Sequence, residues 1–118
     1  MAADAEWEEG EMYCNTRGGH LVSLHSHDEE QFAKELAGPD NEFWIGMTQK
    51  DNTGYKWTDG TEIDYLNWGE DQPSDGFFMY DEDCVTTNDP SRKIDNQWND
   101  VNCNRQRYFV CKTLAINS

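Results

Sequence analysis

The apolar positions along the chain change period twice. Between Asp4 and Thr16, Trp7, Gly10 or Glu11, and Cys14 recur at the spacing of one helix face. This predicts a first helix, stopped by Gly18-Gly19. His20 to Leu24 follows as a short strand or extended segment. Ser26 and Glu29 form a capping box, and Asp28 and Glu29 place acids where the helix dipole favours them. In the second helix so predicted, Phe32, Ala33, Leu36 and Ala37 are the expected buried stripe, and Gly38-Pro39 ends it.

From Phe43 the helical spacing is lost. Phe43 to Met47 is a short apolar run of strand type, Asp51 to Gly54 a turn, and Tyr55-Lys56-Trp57 alternates like a strand. Asp59-Gly60 turns the chain again. Cys84 to Thr87, Gln97 to Asp100 and Tyr108 to Cys111 are the remaining strand candidates. Two helices followed by short strands and long connections predict an α+β fold. At 118 residues the chain, 1–118, reads as a single domain.

Composition changes the picture of the core. Trp, Tyr and Phe number five each, while Leu, Ile and Val are sparse, so the interior is expected to be built around aromatic rings. The formal charge of −15 disfavours nucleic acid and anionic membranes as partners, since nothing resembles a basic patch. Most of the 24 acids are accounted for by solubility. The four cysteines, at 14, 84, 103 and 111, lack zinc-site spacing. Disulfides formed in an oxidising, extracellular compartment are the better reading, with three connectivities open. No apolar segment is long enough to insert in a membrane, and no signal peptide is present. A secreted protein of this sequence would therefore be a mature or excised form.

One long stretch has neither period. Asn67 to Cys84 holds six carboxylates, a glutamine, a serine and the central Pro73. Side-chain oxygens gathered on a loop anchored by Trp68 and Cys84 suit a hard cation, above all calcium, which takes six to eight oxygen ligands. An EF-hand reading of Asp71 to Glu82 fails, because Pro73 stands where an oxygen ligand is required and neither flank is a long amphipathic helix. His20, His25 and His27 have no metal-binding frame and fit the exposed approach to the second helix. No Ser or Cys is framed by a base and an oxyanion motif, so an enzyme is not indicated.

Taken in order, several pieces resemble the C-type lectin-like domain. They are Trp7 to Cys14, Gly18 to Ser23, Trp44-Ile45-Gly46, Trp57-Thr58-Asp59-Gly60, Asn67-Trp68, Gln72-Pro73-Ser74, Glu82 to Val85, Trp98-Asn99-Asp100 with Cys103, and Phe109-Val110-Cys111. The resemblance implies the C-type lectin fold, with a long calcium-binding loop region and the disulfides Cys14–Cys111 and Cys84–Cys103. It also implies a strand ahead of the first helix. Met1 to Glu6 is a poor strand sequence, so either that strand is missing, exposing Tyr108 to Cys111 as an edge, or its role is met otherwise.

By the same resemblance, calcium is held by Gln72, Ser74, Glu82, Asn99 and Asp100. A cis bond at Pro73 would aim Gln72 and Ser74 at one ion. Two neighbouring sugar hydroxyls would complete the shell and hydrogen-bond to the same five side chains. Gln-Pro-Ser matches the family's galactose-type Gln-Pro-Asp at its first position and departs from the mannose-type Glu-Pro-Asn, so galactose is favoured. Ser74 brings one carboxylate fewer than the galactose triplet, which lowers the expected calcium affinity. Phe77, Phe78 and Tyr80 lie in the loop where a ring could stack on the sugar, Tyr80 being the candidate chosen. Asp75, Glu82 and Asp83 are candidates for a weak second ion. The partner implied is a glycan, with a homo-oligomer as the means of strengthening single-site binding. The competing class is a lectin-like domain that recognises protein, ice or mineral without sugar.

Overall fold

The computed structural model describes residues 2–38, 41–49, 54–68, 84–88 and 98–113. The first helix, α1 (Trp7–Thr16), buries Trp7, Gly10 and Cys14, the face its spacing predicts. The Glu6 backbone N–H donates to the Glu9 carboxylate at 3.0 Å at its start. At its end Gly18 takes φ +80°, a conformation open to glycine without strain.

Of the two alternatives for the first strand, its absence is wrong. Ala2–Ala5 forms β1 and pairs antiparallel with β7 (Arg107–Phe109), with Ala2 opposite Phe109 and Ala5 opposite Arg107. Alanine has little intrinsic strand preference. Tertiary partners supply what propensity lacks: an unfilled β7 edge, and the Trp44 indole N–H donating to the Ala5 carbonyl at 2.8 Å. The edge at 107–109 is therefore covered on both sides, by β1 and by β3 (Phe43–Thr48). The expected last strand also divides. Beyond Val110 the chain leaves the main sheet as β8 (Cys111–Thr113), which pairs with β2 (Gly19–Leu21).

The main sheet runs β1-β7-β3-β5-β6, where β5 is Cys84–Thr87 and β6 is Asn99–Val101; β4 (Lys56–Trp57) pairs with β3 off this path. All six residues of β3 are buried, as a central strand covered on both faces requires. On one side lie Trp7, Leu21, Trp44 and Phe109; on the other lie Leu24, Phe43, Ile45, Trp57 and Trp98. The aromatic core is thus as composition suggests. Disulfides join Cys14 to Cys111 and Cys84 to Cys103. In the chain-entropy description, a loop of 97 residues closed in this way is worth up to about 4.7 kcal/mol.

The second helix, α2 (His27–Ala37), starts at Ser26, whose hydroxyl accepts from the Glu29 N–H at 3.1 Å. Its buried stripe differs from expectation. Ala33 and Ala37 are buried, but Phe32 is 61% and Leu36 50% exposed. The third buried position is Glu30. Glu30, Ala33 and Ala37 share the i, i+3, i+7 line, and Phe32 and Leu36 fall on the opposite side. Ala33 and Ala37 join the core cluster with Leu24, Phe43 and Ile45, and the carboxylate of Glu30 fills the remaining buried place.

Two substitutions separate these faces. Phe32→Ala is expected to change unfolding free energy by no more than about 0.5 kcal/mol, as at other exposed positions. Gly46→Ala would put a Cβ 2.5 Å from the Leu21 carbonyl oxygen and is expected to cost about 1–3 kcal/mol by overpacking. Urea titration measures both, and the reverse order of effects would contradict the packing described.

Candidate functional site

The predicted ligands divide between two parts of the chain. Gln72, Ser74, Tyr80 and Glu82 lie outside the described residues, as do Pro73, Asp75, Phe77, Phe78 and Asp83. Asn99 and Asp100 lie on β6, the last strand of the main sheet. Antiparallel pairing sets Asp100 opposite Val85 and Asn99 opposite Thr86. Asp100 is buried, while Asn99 is half-buried. An amide oxygen and a carboxylate on consecutive residues are hard donors, a set whose chemistry fits calcium. The Thr86 hydroxyl donates to Glu42 Oε2 at 2.7 Å, and Glu42 Oε1 accepts from Arg107 Nε at 2.7 Å. This chain of polar contacts braces β5 against β7 across β3.

The residue before the pair is held most firmly. Trp98 is fully buried. Its ring meets Trp57, Tyr65 and Trp68 edge-on, with centroids 5.7, 5.9 and 5.7 Å away. Such edge-to-face contacts are worth about 0.5–1.5 kcal/mol each beyond area burial. Its backbone N–H donates to the Asn67 carbonyl at 2.8 Å, and its indole N–H to Glu30 Oε2 at 3.2 Å. The strand carrying Asn99 and Asp100 is therefore joined to the mouth of the acidic loop.

Glu30 is the residue that sequence reasoning missed. It reads as one more first-turn acid, yet it is completely buried. Its Oε1 accepts from the Tyr65 hydroxyl and the Asn67 amide, both at 3.0 Å. Its Oε2 accepts from Thr87 at 2.9 Å and from Trp98, with Lys34 Nζ at 3.4 Å one helical turn on. The available signal was its place on the same helical line as Ala33 and Ala37. Burial raises the Tyr65 phenol pKa to about 12, helped by the Glu30 charge and hydrogen bond.

A second polar group lies around β8. Lys112 Nζ donates to Ser23 Oγ at 3.0 Å and to Glu29 Oε2 at 2.6 Å. Ser23 donates in turn to Asp59, which also accepts from the Thr61 N–H at 3.0 Å and hydroxyl at 2.6 Å. Burial pushes the Asp59 carboxyl up, but the bonds from Ser23 and Thr61 and the Lys112 charge outweigh it and hold the pKa below 3.8. A cleft of about 260 Å³ opens beside Gly19, His25, Asp59 and Lys112. His20, His25, Asp59, Thr61 and Lys112 on its wall all have hydrogen-bond partners, and no predicted ligand lines it. His25 bonds Asp64 at 2.7 Å and His20 bonds Glu11 at 2.6 Å. Among the described residues no three His, Cys, Asp or Glu gather as a metal site.

Comparison with known proteins places this geometry. The chain matches the Lectin C-type domain over residues 3–113 and belongs to that family. It is 39% identical over 111 residues to the versican core protein of Rattus norvegicus, covering 93% of this chain and 4% of that protein. It thus spans a small fraction of the versicans it matches. The herring type II antifreeze protein superposes with a TM-score of 0.81 at 31% identity, covering 95% of this chain and 86% of that one. The cow CD23 carbohydrate-recognition domain, in the presence of a GlcNAc2Man3 oligosaccharide, gives 0.81 at 31% identity over 98% and 84%. The family is in general one of carbohydrate-binding, non-enzymatic domains. Calcium binding is typical in it, though not universal.

Two titrations test the site's electrostatics. Glu30→Gln removes the charge beside Tyr65, so the tyrosinate absorbance is expected to gain a group titrating closer to 10. An unchanged titration curve would separate Tyr65 from Glu30. For Asp59 the folded pKa is depressed, so its stabilisation is complete above 3.8 and is lost as pH falls through the folded value. The difference in melting temperature between wild type and Asp59→Asn should therefore shrink below that pH, and a difference constant with pH would refute the assignment.

Proposed function

We propose that this chain is a secreted domain that binds carbohydrate through a calcium ion, preferring galactose-type to mannose-type sugars. Gln72, Ser74, Glu82, Asn99 and Asp100 would hold the ion. Calcium would supply vacant coordination positions for two neighbouring sugar hydroxyls. The five side chains would accept from or donate to those hydroxyls, and Tyr80 would offer its ring to the sugar's apolar face. The observation that carries the reading is the placement of Asn99 and Asp100 together on β6, behind an anchored Trp98. Two disulfides support an extracellular setting. Among the described residues no helix is long and apolar enough to cross a membrane. Affinity for one sugar at such a site is modest, and presentation on a homo-oligomer would raise it by avidity.

A second reading is favoured by one finding. The likeness to the herring antifreeze protein is as close as that to the CD23 domain. A domain of this shape that recognises ice, mineral or protein would not need sugar.

A glycan array with calcium and with chelator decides between them: galactose-terminated glycans should bind only with calcium, and equal signals would sink the mechanism. Elution by mannose in preference to galactose would refute the preference drawn from Gln72. Asn99→Ala should weaken calcium binding by about tenfold or more, at least about 1.4 kcal/mol, with little change in melting temperature. Calorimetry showing wild-type affinity in that variant would mean that the ion lies elsewhere.

A further inference from the structure

We propose that Glu30, remote in sequence from every predicted ligand, is a positioning residue that sets the calcium affinity of the site. The inference rests on the calcium reading above. The five predicted ligands come from two segments, the loop after Asn67 and the strand after Trp98. Glu30 grips both. One carboxylate oxygen takes Tyr65 and Asn67, where the loop begins. The other takes Thr87, just past the loop's far end, and Trp98, next to Asn99. The Trp98 N–H to Asn67 carbonyl bond, at 2.8 Å, closes the same circuit through the backbone.

A carboxylate suits this place because it accepts at both oxygens and donates at neither. Four donors converge on it, and a glutamine cannot receive them all. The Trp98 indole can only donate, so the remaining amide oxygen must face Trp98 and Thr87. The new NH₂ then faces Tyr65 and Asn67. The Tyr65 hydroxyl can turn to accept, but Asn67 must rotate its amide. The loop side loosens while the strand side holds. Partners outside the first coordination shell typically change metal affinity by about 10–100-fold when removed.

Calorimetric calcium titration of Glu30→Gln and of Leu24→Ala, a core truncation that removes no group bonded to Glu30, tests this. Glu30→Gln is expected to weaken calcium binding at least about tenfold. In the calcium-free protein, its Trp98 backbone amide should also exchange hydrogen faster than in Leu24→Ala. Leu24→Ala should lower the melting temperature and leave the calcium Kd within about threefold of wild type. Equal losses in the two variants would reduce Glu30 to a stability residue. A Glu30→Gln affinity within about threefold of wild type would overturn the inference alone. A wild-type chain that takes up no calcium would overturn the functional reading and this inference together. Should Glu30→Gln fail to fold, Tyr65→Phe deletes one of the four donors; a weakened calcium affinity in it supports the proposal, and an unchanged one overturns it.

Discussion

An ionised carboxylate in a dry interior is tolerated only when it is paired and fully hydrogen-bonded. The buried Glu30 meets that condition with donors from Tyr65, Asn67, Thr87 and Trp98 and the nearby Lys34. Each hydrogen bond to a charged group contributes about 1.5–3 kcal/mol, and leaving such a charge unpartnered costs more. The carboxylate therefore imposes a condition on the rest of the fold. Helix α2, the mouth of the acidic loop, β5 and the approach to β6 must all arrive together or the charge is stranded. Ala33 and Ala37, on the same helical line, pack into the core beside it.

The same demand explains the packing of aromatic rings at this end of the molecule. Trp57, Tyr65 and Trp68 surround Trp98 edge-on, and Trp98 and Tyr65 both donate to the fully buried carboxylate. A small domain poor in aliphatic residues thereby gains a packed aromatic cluster at the residue that precedes Asn99 and Asp100. Rigid support is what the proposed calcium site would require, since misplacement of one ligand is felt by all.

Much of this was legible in the sequence. The helix α1 face, the strand at Phe43–Thr48, the disulfide pairs and the aromatic core follow from local pattern or from family likeness. The errors share a cause. Ala2–Ala5 became a strand because β7 had an edge to fill, which no local propensity records. Phe32 and Leu36 are apolar yet face out, because helical phase puts Glu30, Ala33 and Ala37 on the buried line and apolar identity alone does not record that phase. For the site, the residue types and the Trp98-Asn99-Asp100 order were readable, but the support behind them was not. Its donors lie at 65, 67, 87 and 98, on four separate stretches that only tertiary structure brings to residue 30.

The Cys14–Cys111 bond has a mechanical consequence. Tension applied to the two ends of the chain reaches this covalent link once β1, α1 and β8 have yielded, and goes no further into the body. The 97-residue span it closes, roughly 350 Å of contour if fully extended, stays out of the load path. Glu30, Trp98, Asn99 and Asp100 lie inside that span. In an oxidising medium the bond therefore caps how far a pull on the two ends can extend the chain, and a reductant would remove that cap.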